Sequence, residues 1–129
     1  MFLDTSGLFC YQSVSEPECQ LATRLFETPR PKLTHSYVLS EYLALITTRR
    51  LNRAIALDFL SDMMESSLVE IVWVDKVLHE KAMDLLKARR DKTYSLCDAV
   101  SFVLMSERSV YDALTTDRHF EQEGFRKLL

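Results

Sequence analysis

Leu68-Val69-Glu70-Ile71-Val72-Trp73-Val74-Asp75 is the run whose reading decides the fold. Its apolar, β-branched residues are interrupted by a single acid, and the run is too short for a helix, so it predicts a strand over Leu68–Val74. Asp75 then offers a side-chain oxygen to the N–H groups of a helix that extends to Arg89-Arg90. A near-continuous apolar strand feeding directly into a helix is the unit of a parallel sheet, whose faces helices cover.

The same unit recurs on both sides. Upstream, Phe2-Leu3 predicts a strand over residues 1–4, followed by a short helix over Ser6–Tyr11. A polar break falls at Ser13-Val14-Ser15, and Pro17 suits the first turn of a helix that runs to Glu27, where Pro29 and Pro31 stop it. Leu33–His35 is a further strand, Ser36 caps a helix over Tyr37–Arg50, and Asn52 starts another to Ser66. Downstream, Ser95 caps a helix over Leu96–Arg108, Ala113–Thr116 forms a strand, and Phe120–Leu129 supplies a closing strand. No period-2 hairpin with an Asn-Gly turn appears. The order β-α-α-β-α-α-β-α-α-β predicts an α/β fold, a central, mostly parallel sheet flanked by helices.

Composition fits that architecture. The chain of 129 residues suits a single domain, residues 1–129, and two glycines and three prolines leave little material for long linkers. Cys10, Cys19 and Cys97 lack C-x-x-C spacing, which argues against a zinc site or a disulfide framework and for reduced thiols. Met1-Phe2-Leu3-Asp4 lacks the basic start and apolar core of a signal peptide. No run reaches the roughly 18 apolar residues of a membrane span. A soluble cytoplasmic protein with no membrane partner is expected.

Four acids stand where a parallel fold builds its sites, beyond the carboxyl ends of strands. Asp4 ends the first strand and Asp117 the last clear one. Glu41 lies about 40° from the margin of the apolar face of its helix, at 100° per residue. Asp98 falls between Phe102 and Met105 on a helix apolar nearly all round, where an uncompensated charge is costly. Hard divalent ions take oxygen ligands, and two ions roughly 4 Å apart are a recurrent device for phosphodiester hydrolysis. Each acid also has a plain structural reading: Ser95-x-x-Asp98 matches a capping box, Glu41 could pair with Arg49 or Arg50, and Asp4 and Asp117 could be turn residues. Their agreement favours a shared site.

The segments Leu3-Asp4-Thr5-Ser6, Val38-Leu39-Ser40-Glu41-Tyr42, Leu96-Cys97-Asp98-Ala99-Val100 and Leu114-Thr115-Thr116-Asp117-Arg118-His119-Phe120 resemble the four acidic motifs of PIN-domain ribonucleases, and within them the VapC toxins of bacterial toxin–antitoxin modules. The resemblance implies a Mg²⁺- or Mn²⁺-dependent endoribonuclease, often homodimeric, silenced by a cognate antitoxin. It implies Asp4, Glu41, Asp98 and Asp117 as catalytic metal ligands and Ser6 and Thr116 as supporting hydroxyls. Some relatives place the last acid two residues later, where this chain has His119. The placement of Asp98 rests on the resemblance, because a helix leaving the carboxyl edge at Asp75 should end at the opposite edge. Asp91–Tyr94 must turn the chain back.

Other features divide between function and plain structure. Arg118 lies beside the acids and could contact an RNA phosphate; Arg49-Arg50 and Arg89-Arg90 read as helix ends that favour cations. His119 reads as a surface residue over a substrate contact, and Trp73 as core over a base-stacking platform. The helix over Ala54–Met64 carries more apolar surface than the core should cover, fitting a dimer or antitoxin groove. The net charge of −3 opposes simple electrostatic binding of RNA, although setting the four acids aside turns it into +1. The expected reaction is in-line hydrolysis leaving a 5′-phosphate. Two other readings compete. An aspartyl-phosphate phosphatase would use Asp4 as nucleophile but would carry an acid where Ser6 stands. A PIN-like RNA- or protein-binding module could keep the fold without turnover.

Overall fold

The computed structural model describes residues 1–12 and 17–129, so the polar break expected at Ser13–Ser15 lies outside the described residues. The elements run β1 (Phe2–Leu3), α1 (Thr5–Gln12), α2 (Pro17–Phe26), β2 (Lys32–His35), α3 (Ser36–Thr48), α4 (Arg53–Glu65) and β3 (Val69–Val72). They continue with α5 (Lys76–Ala88), α6 (Leu96–Glu107), β4 (Asp112–Leu114), α7 (His119–Gln122) and β5 (Arg126–Lys127). All four strand pairings are parallel, in the order β3-β2-β1-β4-β5. The expected α/β architecture is therefore the observed one.

The central strand has only two residues and is the best buried. Phe2 and Leu3 have no solvent exposure, and Phe2 sits level with Leu33 on one side and Ala113 on the other. A strand with helices over both faces needs apolar side chains in both directions, which Phe2-Leu3 supplies. Tyr42 from α3, Phe102 from α6 and Phe120 from α7 complete the core around it.

Several local expectations need correcting. Ser36 does not cap α3; the His35 imidazole accepts from the Val38 N–H, freeing the Ser36 hydroxyl to accept from Val74 N. β3 is shorter than Leu68–Val74 and lies at the sheet edge, so Trp73 falls beyond it and is 64% exposed instead of joining the core. The tail opens with a four-residue helix, α7, before β5. Gly124 adopts a φ of 93°, a left-handed conformation that turns the chain from α7 into that strand. The apolar surplus of α4 is observed: Ile55, Leu57 and Met64 are exposed while Ala56, Phe59 and Met63 are buried.

Helix α1 lies against β4 at backbone distance. A methyl group on Gly7 would stand 2.0 Å from the Leu114 carbonyl oxygen and 2.7 Å from its carbon. Gly7→Ala is therefore expected to destabilise the protein by about 1–3 kcal/mol or more, as an overpacked site with no flexible neighbour does. The direction opposes the roughly 1 kcal/mol that alanine normally gains over glycine inside a helix. Urea unfolding measures this, and an unchanged midpoint would contradict the close approach.

Candidate active site

Because the strands are parallel, their carboxyl ends share one edge. The strand order reverses between β1 and β4: β1 leads out to β2 on one side and β4 to β5 on the other. Such a switch point leaves a crevice between diverging loops. Asp4 follows β1 directly, and Thr115-Thr116-Asp117 follows β4.

Asp4 is buried, and two parallel hydrogen-bond chains hold it. Its Oδ2 accepts from Ser6 Oγ and from Thr115 Oγ1, each at 2.7 Å. Those hydroxyls accept in turn from backbone N–H groups, Ser6 Oγ from Thr116 at 3.0 Å and Thr115 Oγ1 from Asp117 at 2.9 Å. Ser6 bonds Asp4 directly, and the other hydroxyl on that oxygen is that of Thr115. Thr116 is exposed and contributes its backbone N–H. Burial raises the Asp4 carboxyl to about 6, against the opposing pull of the Thr115 and Ser6 bonds.

The other acids arrive from helices. Glu41, on α3, accepts the Thr5 hydroxyl at 2.7 Å. Asp98, on α6, is buried and closes the capping box with Ser95, its Oδ2 accepting from Ser95 N at 2.8 Å. The residues before it turn the chain back to the carboxyl edge, where the Tyr94 ring meets the His119 ring edge-on at 5.2 Å. Burial also raises the Asp98 carboxyl, and Asp117 adds to that rise, while the Ser95 bonds and His119 oppose it. Cys97 lies between the groups: burial and the charges of Glu41, Asp4 and Asp98 push its thiol pKa well up. A single sulfur therefore senses three of the four acids.

His119, which stands where some relatives place their last acid but reads from sequence as a surface residue, lies against Asp98 and Asp117. Its backbone N–H donates to Asp117 Oδ1 at 2.8 Å. Its Nδ1 lies 3.4 Å from Asp98 Oδ2 and 3.3 Å from Asp117 Oδ2, yet is buried without a hydrogen-bond partner among the described residues. Ligand atoms of Asp98, Asp117 and His119 all fall within 4.8 Å of one another. Two carboxylates and an orphaned imidazole nitrogen fit a divalent cation, which takes such donors at about 2.0–2.2 Å. The available sequence signal was Asp117-x-His119, a spacing that lets an aspartate bond the N–H two residues on. For Thr115 it was a threonine directly after the apolar pair Ala113-Leu114.

Arg118 is exposed at the start of α7. Arg89 is committed to Glu123 through two hydrogen bonds of 3.1 and 3.0 Å, and Arg49 lies over the Phe9 ring. These two support the plain structural reading of the basic clusters.

A family model described as the PIN domain matches residues 1–125. The 23S rRNA-specific endonuclease VapC20 of Mycobacterium tuberculosis, in both the CDC 1551 and H37Rv strains, is 28% identical over 126 residues, 97% of this chain and 95% of the relative. The crystal structure of M. tuberculosis VapC20, described as a Sarcin-Ricin loop cleaving toxin, superposes with a TM-score of 0.86, covering 98% of this chain and 96% of the other.

The buried groups carry a pH signature. Asp4 holds its proton more tightly folded than unfolded, so its contribution to stability is present below about pH 4 and lost as pH rises through about 6. His35, buried against Ser101 and lowered to about 3 by burial, works oppositely: its neutral form is favoured, and stability falls with pH below its unfolded value of 6.5. The two effects overlap in one window, so the Asp4 effect must be isolated. Without divalent ions, wild type is expected to lose stability relative to Asp4→Asn between pH 4 and pH 7. Parallel unfolding series for the two proteins test this, and a constant difference across the window would refute the raised pKa.

Proposed function

The chain belongs to the PIN-domain family, and from that premise we propose that residues 1–129 form a single metal-dependent endoribonuclease domain that hydrolyses RNA phosphodiester bonds. The observation that carries the proposal is a linked set of acids: Asp98 and Asp117 offer ligand atoms within 4.8 Å of each other and of His119, Asp117 is tied to Asp4 through Thr115, and Glu41 accepts from Thr5 beside Asp4. A bound Mg²⁺ or Mn²⁺ would polarise the phosphate and lower the pKa of water there.

The chain's own residues divide the remaining work. Asp98 and Asp117 offer oxygens to the cation, and Asp4 adds a carboxylate fixed by Ser6 and Thr115. Glu41, held by Thr5 on α1 beside Asp4, supplies a carboxylate from α3 that would accept a proton from an attacking water. Thr115 orients Asp4 and Thr116 anchors Ser6, so both act on the acids and not on RNA. Arg118, exposed beside the acids, is placed to contact an RNA phosphate, a role that orients substrate without reading sequence.

By likeness to VapC20, the substrate class is structured ribosomal RNA, and the chain is the toxin of a toxin–antitoxin pair acting in the cytoplasm. Among the described residues, no helix is long and apolar enough to cross a membrane. Exposed Ile55, Leu57 and Met64 on α4 supply apolar surface for an antitoxin or for a second copy in a homodimer.

The test incubates purified, antitoxin-free protein with ribosomal RNA, with Mn²⁺ and with chelator. Cleavage is expected only with the ion. Asp4→Asn and Asp98→Asn are expected to lose at least the roughly 10–100-fold that disturbing a metal ligand's partner costs. Cleavage that survives chelation, or both substitutions, would sink the proposal. RNA binding without cleavage by the metal-loaded wild type would favour the non-catalytic PIN module instead.

A further inference from the structure

We propose that His119 is a direct nitrogen ligand of the divalent cation and biases this site away from Mg²⁺ toward a transition-metal ion such as Mn²⁺. The inference rests on the metal-centre reading above and concerns which ion the centre selects.

Three features of the imidazole carry it. First, its Nδ1 faces two carboxylate oxygens at 3.3 and 3.4 Å and makes no hydrogen bond among the described residues. Those spacings approach the roughly 3 Å edge between neighbouring donors around an ion with bonds of about 2.1 Å. Second, the far nitrogen, Nε2, lies 3.3 Å from Thr93 Oγ1. A proton placed on Nε2 and donated to Thr93 leaves the Nδ1 lone pair pointing at the acids, the arrangement by which a second partner fixes the tautomer of a metal-ligating histidine. Third, the ring is held on both sides of its backbone. Tyr94 packs edge-on against it, and the His119 N–H is tied to Asp117 Oδ1.

Two carboxylates closing on one imidazole nitrogen need something positive between them, either a proton on Nδ1 or a cation. A divalent cation meets that need and joins all three groups at once. The choice of ion follows from donor chemistry: Mg²⁺ keeps to oxygen ligands and water, whereas imidazole is a ligand of transition metals. Exchanging one carboxylate for one imidazole therefore shifts the relative affinities.

Mn²⁺ is the probe, because it is paramagnetic. Pulsed electron paramagnetic resonance of the Mn²⁺-loaded wild type is expected to show the ¹⁴N modulation of a coordinated imidazole, and His119→Asp to lack it. Calorimetric titration with Mn²⁺ and with Mg²⁺ is expected to show the Mn²⁺:Mg²⁺ affinity ratio falling at least tenfold in His119→Asp, which restores an all-oxygen set. His119→Asn serves as a second variant, and the wild-type spectrum depends on neither. Mn²⁺ binding that needs Asp98, shown by its loss in Asp98→Asn, but gives no nitrogen modulation would overturn the role of His119 alone. No Mn²⁺ binding to the wild type would overturn the metal centre and this inference together.

Discussion

A carboxylate kept out of water at the end of the central strand is the constraint on which the rest depends. Asp4 is buried beneath the start of α1, and an ionised carboxyl in such a place must be compensated by hydrogen bonds or a cation. The bonds come from Ser6 on α1 and from Thr115 after β4, so one acid ties the junction of β1 and α1 to the end of β4, 111 positions away in the chain. That stitching works only if α1 sits directly on β4, which leaves room for nothing larger than glycine at position 7. The close approach of α1 to β4 and the burial of the Asp4 carboxylate are thus two aspects of one requirement.

The compensation is partial, and that partiality has chemical meaning. Two hydroxyl bonds oppose burial at Asp4 without cancelling it, and the Ser95 cap does the same at Asp98. A site whose acids were fully satisfied by protein donors would gain little from a metal. Here the unfinished neutralisation of Asp4 and Asp98, with the orphaned nitrogen of His119 between Asp98 and Asp117, leaves a deficit of positive charge at one point. The polar network rigidifies the ligands, and the deficit gives a cation something to bind.

Much of the fold was legible because apolar runs and helix caps are local signals. Phe2-Leu3, Leu33–His35 and the run after Leu68 mark strands by composition, and Asn52, Asp75 and Ser95 cap the helices they were expected to begin. Errors fell where a local rule leaves two adjacent residues equivalent. At the end of β4, Thr115 and Thr116 differ only in which face they meet, and a one-residue slip reverses the answer. His35 and Ser36 both offer acceptors for α3, and the sheet decides between them by giving Ser36 to Val74. The run ending in Trp73 loses its core role because β3 is an edge strand, a property of strand order that no local window contains. Helix α7, four residues long, is below the length at which periodicity registers.

Charge explains how an acidic chain can work on RNA. Several basic side chains are held in ion pairs: Arg89 with Glu123, Arg108 with Glu70, Arg126 with Asp112 and Lys81 with Glu107. These pairs brace the surface and contribute little field at the carboxyl edge, where four acids would repel a phosphate backbone. A divalent ion bound among those acids would reverse the local sign, and Arg118, exposed at the start of α7, would extend the positive region outward. RNA attraction would then be confined to the place where hydrolysis could occur, instead of being spread over a generally basic surface. On that reading a net charge of −3 is consistent with a nuclease, because the positive charge would be supplied where it is used.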